Sequence, residues 1–583
     1  MSIHNPVTVV NTGINPVTVI GSDGVVDPAM EGAIGDGVTI DTDAVKSAIT
    51  KAGIGGMVVF TPGKTYIIDA VLTPLTGQTW LGDGAKLKRI DKVATTFAVS
   101  ESSGSANPVI EVADASGFRV NQSISFYTVG WTGSTEAANQ EQGAYIITDI
   151  TGNLITTNGP TLANSYAIGD HVITSTRIIS SDSTTDVSII GLEIDGNRSS
   201  YASTFNFWVN HAEIRLVGHR SLITRCYLHD SLCEAVYTGG DGTVVDRCRF
   251  INTGGNGIHL STGYGGTVTA CYFESNNMGD STAHQDGAVS LSLNVDNWTL
   301  VNSSCDGQSS TLALIGGLDE STTNITVDTC RVKDTVNNAI DFAGEYTTSD
   351  VDTIKIINCH LDNAGDIHLS NSTGSFRIKN ATVSGNTILQ GQVNLQRVKD
   401  SKIFNNTVDN TGDATRQCYN LNITEDIDLD NNKSIEGSWG IGLNSGGCVN
   451  TNLSGNTITN PQVRGISLIS AGSGTVVDGN KVNCTEGVAG SGHTAYYTQE
   501  ANSIFTNNKL RSNATTGFNI AMDITATADG ADIVGNTFVN PATEGGAYVR
   551  AGAVTVNMIN NTVSVATNDA GTTTNIVNEQ VLA

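Results

Sequence analysis

Residues able to move protons or hold an anion recur at one place in a repeating pattern along this chain. When the second apolar-x-apolar segment of each repeat is aligned, the middle residues read Arg215, Tyr237, His259, Ser290, Ala313, Asp341, His368, Asn394, Asn420, Gly442 and Ser467. Glu213 and Asp366 fall in a neighbouring row, and His284, Asp286 and Glu345 fall in the adjoining turns. Two chemistries use such a set. Breaking a glycosidic bond needs two carboxyl groups, held ~6.5–9.5 Å apart in inverting enzymes to leave room for water. Asp341 and Asp366, one repeat apart and two residues out of register, fall roughly 8 Å apart if the repeats stack as parallel strands. Asp286 and Asp341, two repeats apart, fall about 10 Å apart on the same spacing. Either pair serves, and Glu345 is a spare acid. Elimination or epimerisation at a uronic acid needs instead a cation for the sugar carboxylate and a base for the C5 proton. Arg215, Tyr237 and His259 in consecutive repeats supply both. The catalytic candidates are therefore Asp286, Asp341, Asp366, His259 and Tyr237, with Glu213, Arg215, His284, Glu345 and His368 as substrate-binding candidates.

The elements that must position these groups are short strands. A small residue recurs just before an apolar-x-apolar segment: Cys226, Cys248, Cys271, Cys305, Cys330 and Cys359, then Asn386, Asn406, Asn432, Asn456, Asn480, Asn508, Asn536 and Asn561. The mean step is near 26 residues, from 335 residues over 13 steps. A period in this range, built of short strands and Gly/Asn turns, is the signature of a solenoid. Alternation within each segment suits parallel strands stacked coil on coil. The expected fold is all-β, a right-handed single-stranded parallel β-helix, with outward residues of successive coils about 4.8 Å apart. A competing outward row lies on the first strand of each repeat: Tyr227, Arg249, Tyr272, Arg331 and His360. It is aromatic and basic, so it can bind sugar or a neighbouring subunit, but it lacks acids.

Four regions follow. Residues 1–30 hold a tandem repeat, Asn5-Pro6-Val7-Thr8-Val9 and Asn15-Pro16-Val17-Thr18-Val19, which reads as a β arm for attachment or as a loose tail. Residues 31–90 open with Asp41 or Thr42 as helix caps and Val45, Ala48 and Ile49 on one helical face, followed by the strand Met57-Val58-Val59-Phe60. Residues 91–180 break the rhythm with short strands at Val109, Ser123, Tyr145 and Leu154, as a small inserted β domain would. Residues 181–583 form the body of the helix.

Composition limits partners. Lys and Arg number 30 against 57 Asp and Glu, a net charge of −27. Nucleic acid and anionic membrane surfaces both need a cationic footprint, so neither is expected as a partner. Met1-Ser2-Ile3-His4-Asn5-Pro6 carries no basic start and no apolar core, and is not a secretory signal. Of the ten cysteines, seven (the six of the ladder and Cys484) lie at or near solenoid strands, and stacked free thiols explain them better than disulfides. No cofactor motif and no strong metal spacing is present, although calcium has possible acid ligands in turns such as Asp195 and Asp241.

The helix-then-strand unit at 32–69 resembles the N-terminal cap of the pectate-lyase-like superfamily, which includes bacteriophage tailspikes. That resemblance, extended by the ladder, implies a depolymerase that cleaves a bacterial capsular or exopolysaccharide. It further implies a homotrimer on a virion tail, docked through the N-terminal arm, or free outside the cell after release. Hydrolysis is favoured over elimination because paired carboxylates are available. The layout Arg215, Tyr237, His259 is similar to mannuronan C5-epimerase modules, but their Asp-Pro-His-Glu segment is absent; the nearest acid-rich stretch is His229-Asp230-Ser231-Leu232-Cys233-Glu234. A uronic-acid lyase and a non-enzymatic glycan-binding spike remain the alternatives.

Overall fold

The computed structural model describes residues 24–128, 140–174, 177–201, 212–276, 287–292, 294–307, 314–316, 322–335, 338–344, 351–371, 378–444, 447–469, 472, 474–484, 493–512, 518, 520–525, 527–539, 545–550, 555–563, 568–569, 574–577 and 580–581. The N-terminal repeat, His284, Asp286, Ala313 and Glu345 lie outside them. The chain divides into two compact units, Met1–Leu232 and Cys233–Ala583.

In the second unit each coil contributes up to three strands to three parallel sheets. One coil runs Val244–Asp246, Arg249–Ile251 and Ile258–Ser261, here called the first, second and third faces. The next coil pairs with it in parallel, Val244 with Thr267, Arg249 with Tyr272 and Ile258 with Val289. On the first two faces the middle residue points inward, so Val245 and Phe250 are fully buried. On the third face the flanking residues point inward, so Ile258 and Leu260 are core and the middle residue faces away from it.

A single left-handed residue turns the chain from the first face to the second. Arg247, Ala270, Thr329, Asn358, Asn405, Asn431 and Asn507 hold φ of 50–57° there. Asn and Gly tolerate this conformation best, which explains the Gly-Asn and Asn-Asn pairs of the later coils. The next residue then points inward and forms the ladder.

One ladder assignment is corrected. Left-handed Asn302 puts Ser303 in the slot, where its hydroxyl accepts from the Cys271 N–H at 3.2 Å. Cys305 sits two residues later, paired with Phe273 inside the second face. Small polar Ser303 hid the slot, and the nearby apolar cysteine imitated it. All ten cysteines are free and buried.

From Asn386 onward the ladder is a chain of carboxamides. From Asn386 to Asn536 each Nδ2 donates to the next coil's Oδ1, at 2.8 Å from Asn386 to Asn406 and 2.9 Å from Asn456 to Asn480. That same Oδ1 also accepts a backbone N–H, and Nδ2 makes a second bond to a carbonyl, as from Asn456 to Leu429. Every side-chain polar group is satisfied while fully buried, as the low-dielectric interior requires.

In the first unit, Val25–Val26, Met57–Val59, Thr79–Leu81, Ser188–Ile190 and Leu222–Thr224 pair in that order, all in parallel. Residues Thr42–Ala52 form an α-helix that buries Val45, Ala48 and Ile49. Neither expected side-chain cap forms. Asp41 instead accepts from the Ile34 and Gly35 N–H groups, and Thr42 Oγ1 donates to Asp69. Between Arg89 and Ile179 the chain builds a six-stranded antiparallel sheet with its own core of Phe97, Ile110, Phe126, Tyr145, Tyr166 and Val172.

Candidate functional site

The middle residues of the third face form the outward row expected from the sequence, with one change of register. Tyr237 aligns with His259, then Ser290 and Gly316. Gly316 takes the place expected for Ala313, because two apolar triplets overlap there and the inward residue is Ile315, paired with Val289 and Ile340. Asp341 aligns with His368, Asn394, Asn420, Gly442 and Ser467.

Two groups of reactive side chains sit on this row in the second unit. In the first, Asp341 Oδ1 lies 3.1 Å from His368 Nδ1, and Asn338 Nδ2 donates to Asp341 Oδ2 at 2.8 Å. Both the aspartate and the histidine are partly exposed, at 25% and 20%. Asp366 stands just before the strand that carries His368 and is 13% exposed. Gln392 donates to it twice, through its side chain at 2.6 Å and its backbone N–H at 3.1 Å. Arg416 Nη1 approaches at 3.2 Å. Burial pushes the Asp366 carboxyl above the usual aspartate range, against the pull of Gln392 and Arg416. Acid–base cleavage of an acetal uses one carboxyl with a raised pKa together with a second carboxylate.

The second group is buried. His259, expected on an open groove, is only 4% exposed. Its Nδ1 is hydrogen-bonded to Glu234, itself 3% exposed, and the Tyr237 ring centroid lies 4.9 Å from that of His259. Glu234 Oε2 and Ser290 Oγ, both buried, have no hydrogen-bond partner among the described residues. Glu234 was not singled out from the sequence as a site residue. Its clue was its place just ahead of a third-face strand, as with Asp366.

Two expected binding residues belong to the first unit. Glu213 is fully buried in an ion pair with Arg89, and burial raises its carboxyl. It is a structural acid, not a groove residue: the strand is only Ile214–Leu216, and in-out alternation does not extend past its first residue. Arg215 points outward as expected and pairs with Asp182 at 2.8 Å.

Among the described residues, one group of His and carboxylates has metal-ligand spacing: Asp195, His229 and Asp230, whose ligand atoms lie within 4.8 Å of one another. Lys86, 3.9 Å from Asp195 and 2.6 Å from Glu193, already supplies positive charge there. His229 lies within hydrogen-bond reach of both Glu193 and Asp230. On the competing second-face row Arg249, Tyr272, Ser304, Arg331 and His360 do stack in register.

Stacked parallel coils with an outward polar row make this a right-handed parallel β-helix protein. The family model described as the right handed beta helix region matches residues 212–380 and 315–482. A curated relative, a non-secreted LysM effector of Penicillium expansum, is 40% identical over 81 residues, which span 12% of this chain and 6% of the effector. Among solved structures, the surface adhesin PfbA of Streptococcus pneumoniae is 12% identical, covering 77% of this chain and 92% of its own, with a TM-score of 0.41. A PL6 alginate lyase in complex with a trisaccharide is 14% identical over 56% of this chain and 79% of its own, TM-score 0.42. A tailspike of Acinetobacter baumannii bacteriophage Fri1, a capsular polysaccharide depolymerase, is 11% identical over 73% and 67%, TM-score 0.39. Likeness of this degree concerns the fold and carries nothing about substrate or reaction.

Proposed function

We propose that the protein cleaves a polysaccharide laid along its third face, by glycoside hydrolysis. The observation that carries this is the grouping of Asp341, His368 and Asp366 from adjacent coils, with Asp366 raised by burial and Asp341 hydrogen-bonded to His368. Asp366 acts as the acid that protonates the departing glycosidic oxygen. Asp341, oriented by His368 and Asn338, takes a proton from the water that adds to the anomeric carbon. The neighbouring amides of Asn394 and Asn420, in register with His368, offer donors and acceptors to sugar hydroxyls.

A long row of coils suits a chain-like substrate, and we take that substrate to be a bacterial capsular or exopolysaccharide. In this view the protein is a tailspike-type depolymerase: a homotrimer docked to a virion tail through residues 1–30, with helix Thr42–Ala52 as the solenoid cap and residues 91–180 as an inserted domain. A second reading, elimination at a uronic acid, is favoured by the buried Glu234–His259 pair beside Tyr237, a base with a fixed partner. Incubation with a panel of bacterial polysaccharides separates the two. New reducing ends without ultraviolet absorbance of an unsaturated uronic product support hydrolysis. Absorbance with each new end supports elimination. Neither signal on a glycan that binds would overturn an enzymatic role.

A further inference from the structure

The third-face row does not end at Ser467. It continues in register through Tyr497, Asp523 and Tyr548, and residues of these coils line an open hollow of about 410 Å³. Its walls include Arg464, Thr494, Tyr497, Gln499, Asp523 and Arg550. The two arginines differ. Arg550 forms a two-point ion pair with Asp523, at 2.8 and 2.6 Å, and its charge is answered there. Arg464 has no carboxylate within ion-pair distance among the described residues. Its guanidinium lies 3.6 Å from the centre of the Tyr497 ring and 5.2 Å from that of Trp439, and its Nη1 donates to Ser467 Oγ at 3.0 Å. Arg464 Nε is buried without a hydrogen-bond partner.

A guanidinium stacked on an aromatic ring is held in one plane and keeps its edge for a planar, two-oxygen anion. Here that cation stands in a concave site on a protein of net charge −27; Asp523 in the same hollow favours its charge from a distance but is paired directly with Arg550. Around it are groups that suit hydroxyls: Thr494, Thr527, and Gln499, whose Nε2 donates to the Tyr497 hydroxyl at 2.5 Å. An anion beside several hydroxyl partners describes an acidic sugar.

We infer that this hollow is a binding subsite for a carboxylated sugar unit of a glycan, with Arg464 as the counterion of the sugar carboxylate. Arg550, neutralised by Asp523, shapes the opposite wall, and the hydroxyls and amide engage the ring substituents. The inference deepens the proposed function by naming an acidic polysaccharide, and it rests on a glycan lying along the third face. Binding is measured apart from cleavage, so the two ideas fail separately.

The test is calorimetric titration of the full chain with oligomers of glucuronic acid and of guluronic acid, with the carboxyl-reduced oligomers, and with citrate. The wild type is expected to bind at least one acidic oligomer at least tenfold more tightly than its reduced form and than citrate. Arg464→Gln is expected to lose that preference. Gln499→Ala and Thr527→Val, which leave the stacked arginine in place, are expected to weaken acidic oligomers several-fold without restoring the reduced ones. Equal affinity for acidic and reduced oligomers, citrate binding as tightly as sugar, or unchanged affinity in Arg464→Gln would overturn the subsite. So would wild-type binding of none of these ligands.

Discussion

Asp366 carries the clearest pH consequence at the scale of single residues. As the acid it must hold its proton, and burial raises its pKa, so activity is expected to fall as pH rises through that raised value. Arg416 pulls the same pKa down. Replacing it, Arg416→Gln, is expected to move the alkaline limb of the kcat profile to higher pH, and an unmoved limb would count against Asp366 as acid. His368→Ala, which removes the partner of Asp341, is expected to lower kcat about 10²-fold, within the range for positioned acid–base groups. His259→Gln is expected to leave hydrolysis nearly unchanged; a large loss would favour the elimination reading. The outward row itself was legible in the sequence because each strand pairs one outward residue with two apolar ones. Arg416 and Gln392 were not, since they reach Asp366 from loops 50 and 26 residues away, where no local period constrains them. Glu213 misled because its neighbours alternate while it stands outside the strand.

The asparagine ladder decides stability at the scale of elements. Asn456→Ala removes the acceptor of the Asn432 backbone and side-chain N–H groups and the donor to Leu429. Leaving buried polar groups unsatisfied costs ~1–3 kcal/mol each, so a loss of about 3 kcal/mol is expected in denaturant titration. A change within error would mean that water replaces the amide. The ladder was readable because the left-handed turn before it selects Asn and Gly, and it failed at Ser303, where neither chemistry nor size announced the slot. Glu500 offers a second test. It is fully buried, its Oε1 accepts the Thr475 N–H at 3.2 Å, and burial raises its carboxyl. A raised acid stabilises the fold fully below the ordinary glutamate pKa of about 4.3 and loses that contribution as pH rises through the folded value. Glu500→Gln is expected to flatten the decline of Tm above that range. Burial also pushes the Cys418 thiol up to about 12 and Cys484 to about 11, so neither is expected to react with iodoacetamide at neutral pH before unfolding.

At the scale of the whole chain, a long repeat built of two compact units is not expected to melt as one two-state body. Calorimetric enthalpy should exceed the van't Hoff value, and equality of the two would indicate a single cooperative body. The solenoid period was plain in the sequence because every coil repeats the same turn chemistry. The hollow around Arg464 was less legible because buried Thr498 breaks the apolar-x-apolar pattern in Tyr496-Tyr497-Thr498, although Met522-Asp523-Ile524 keeps it. The central claim is that the third face cuts a glycan with Asp341 and Asp366. Its most direct test is the rate of reducing-end release by Asp341→Asn and Asp366→Asn on a polysaccharide that the wild type cleaves, with binding measured alongside. At least a 100-fold loss of kcat in each variant with binding retained is the predicted result. Near wild-type rates in both would contradict it.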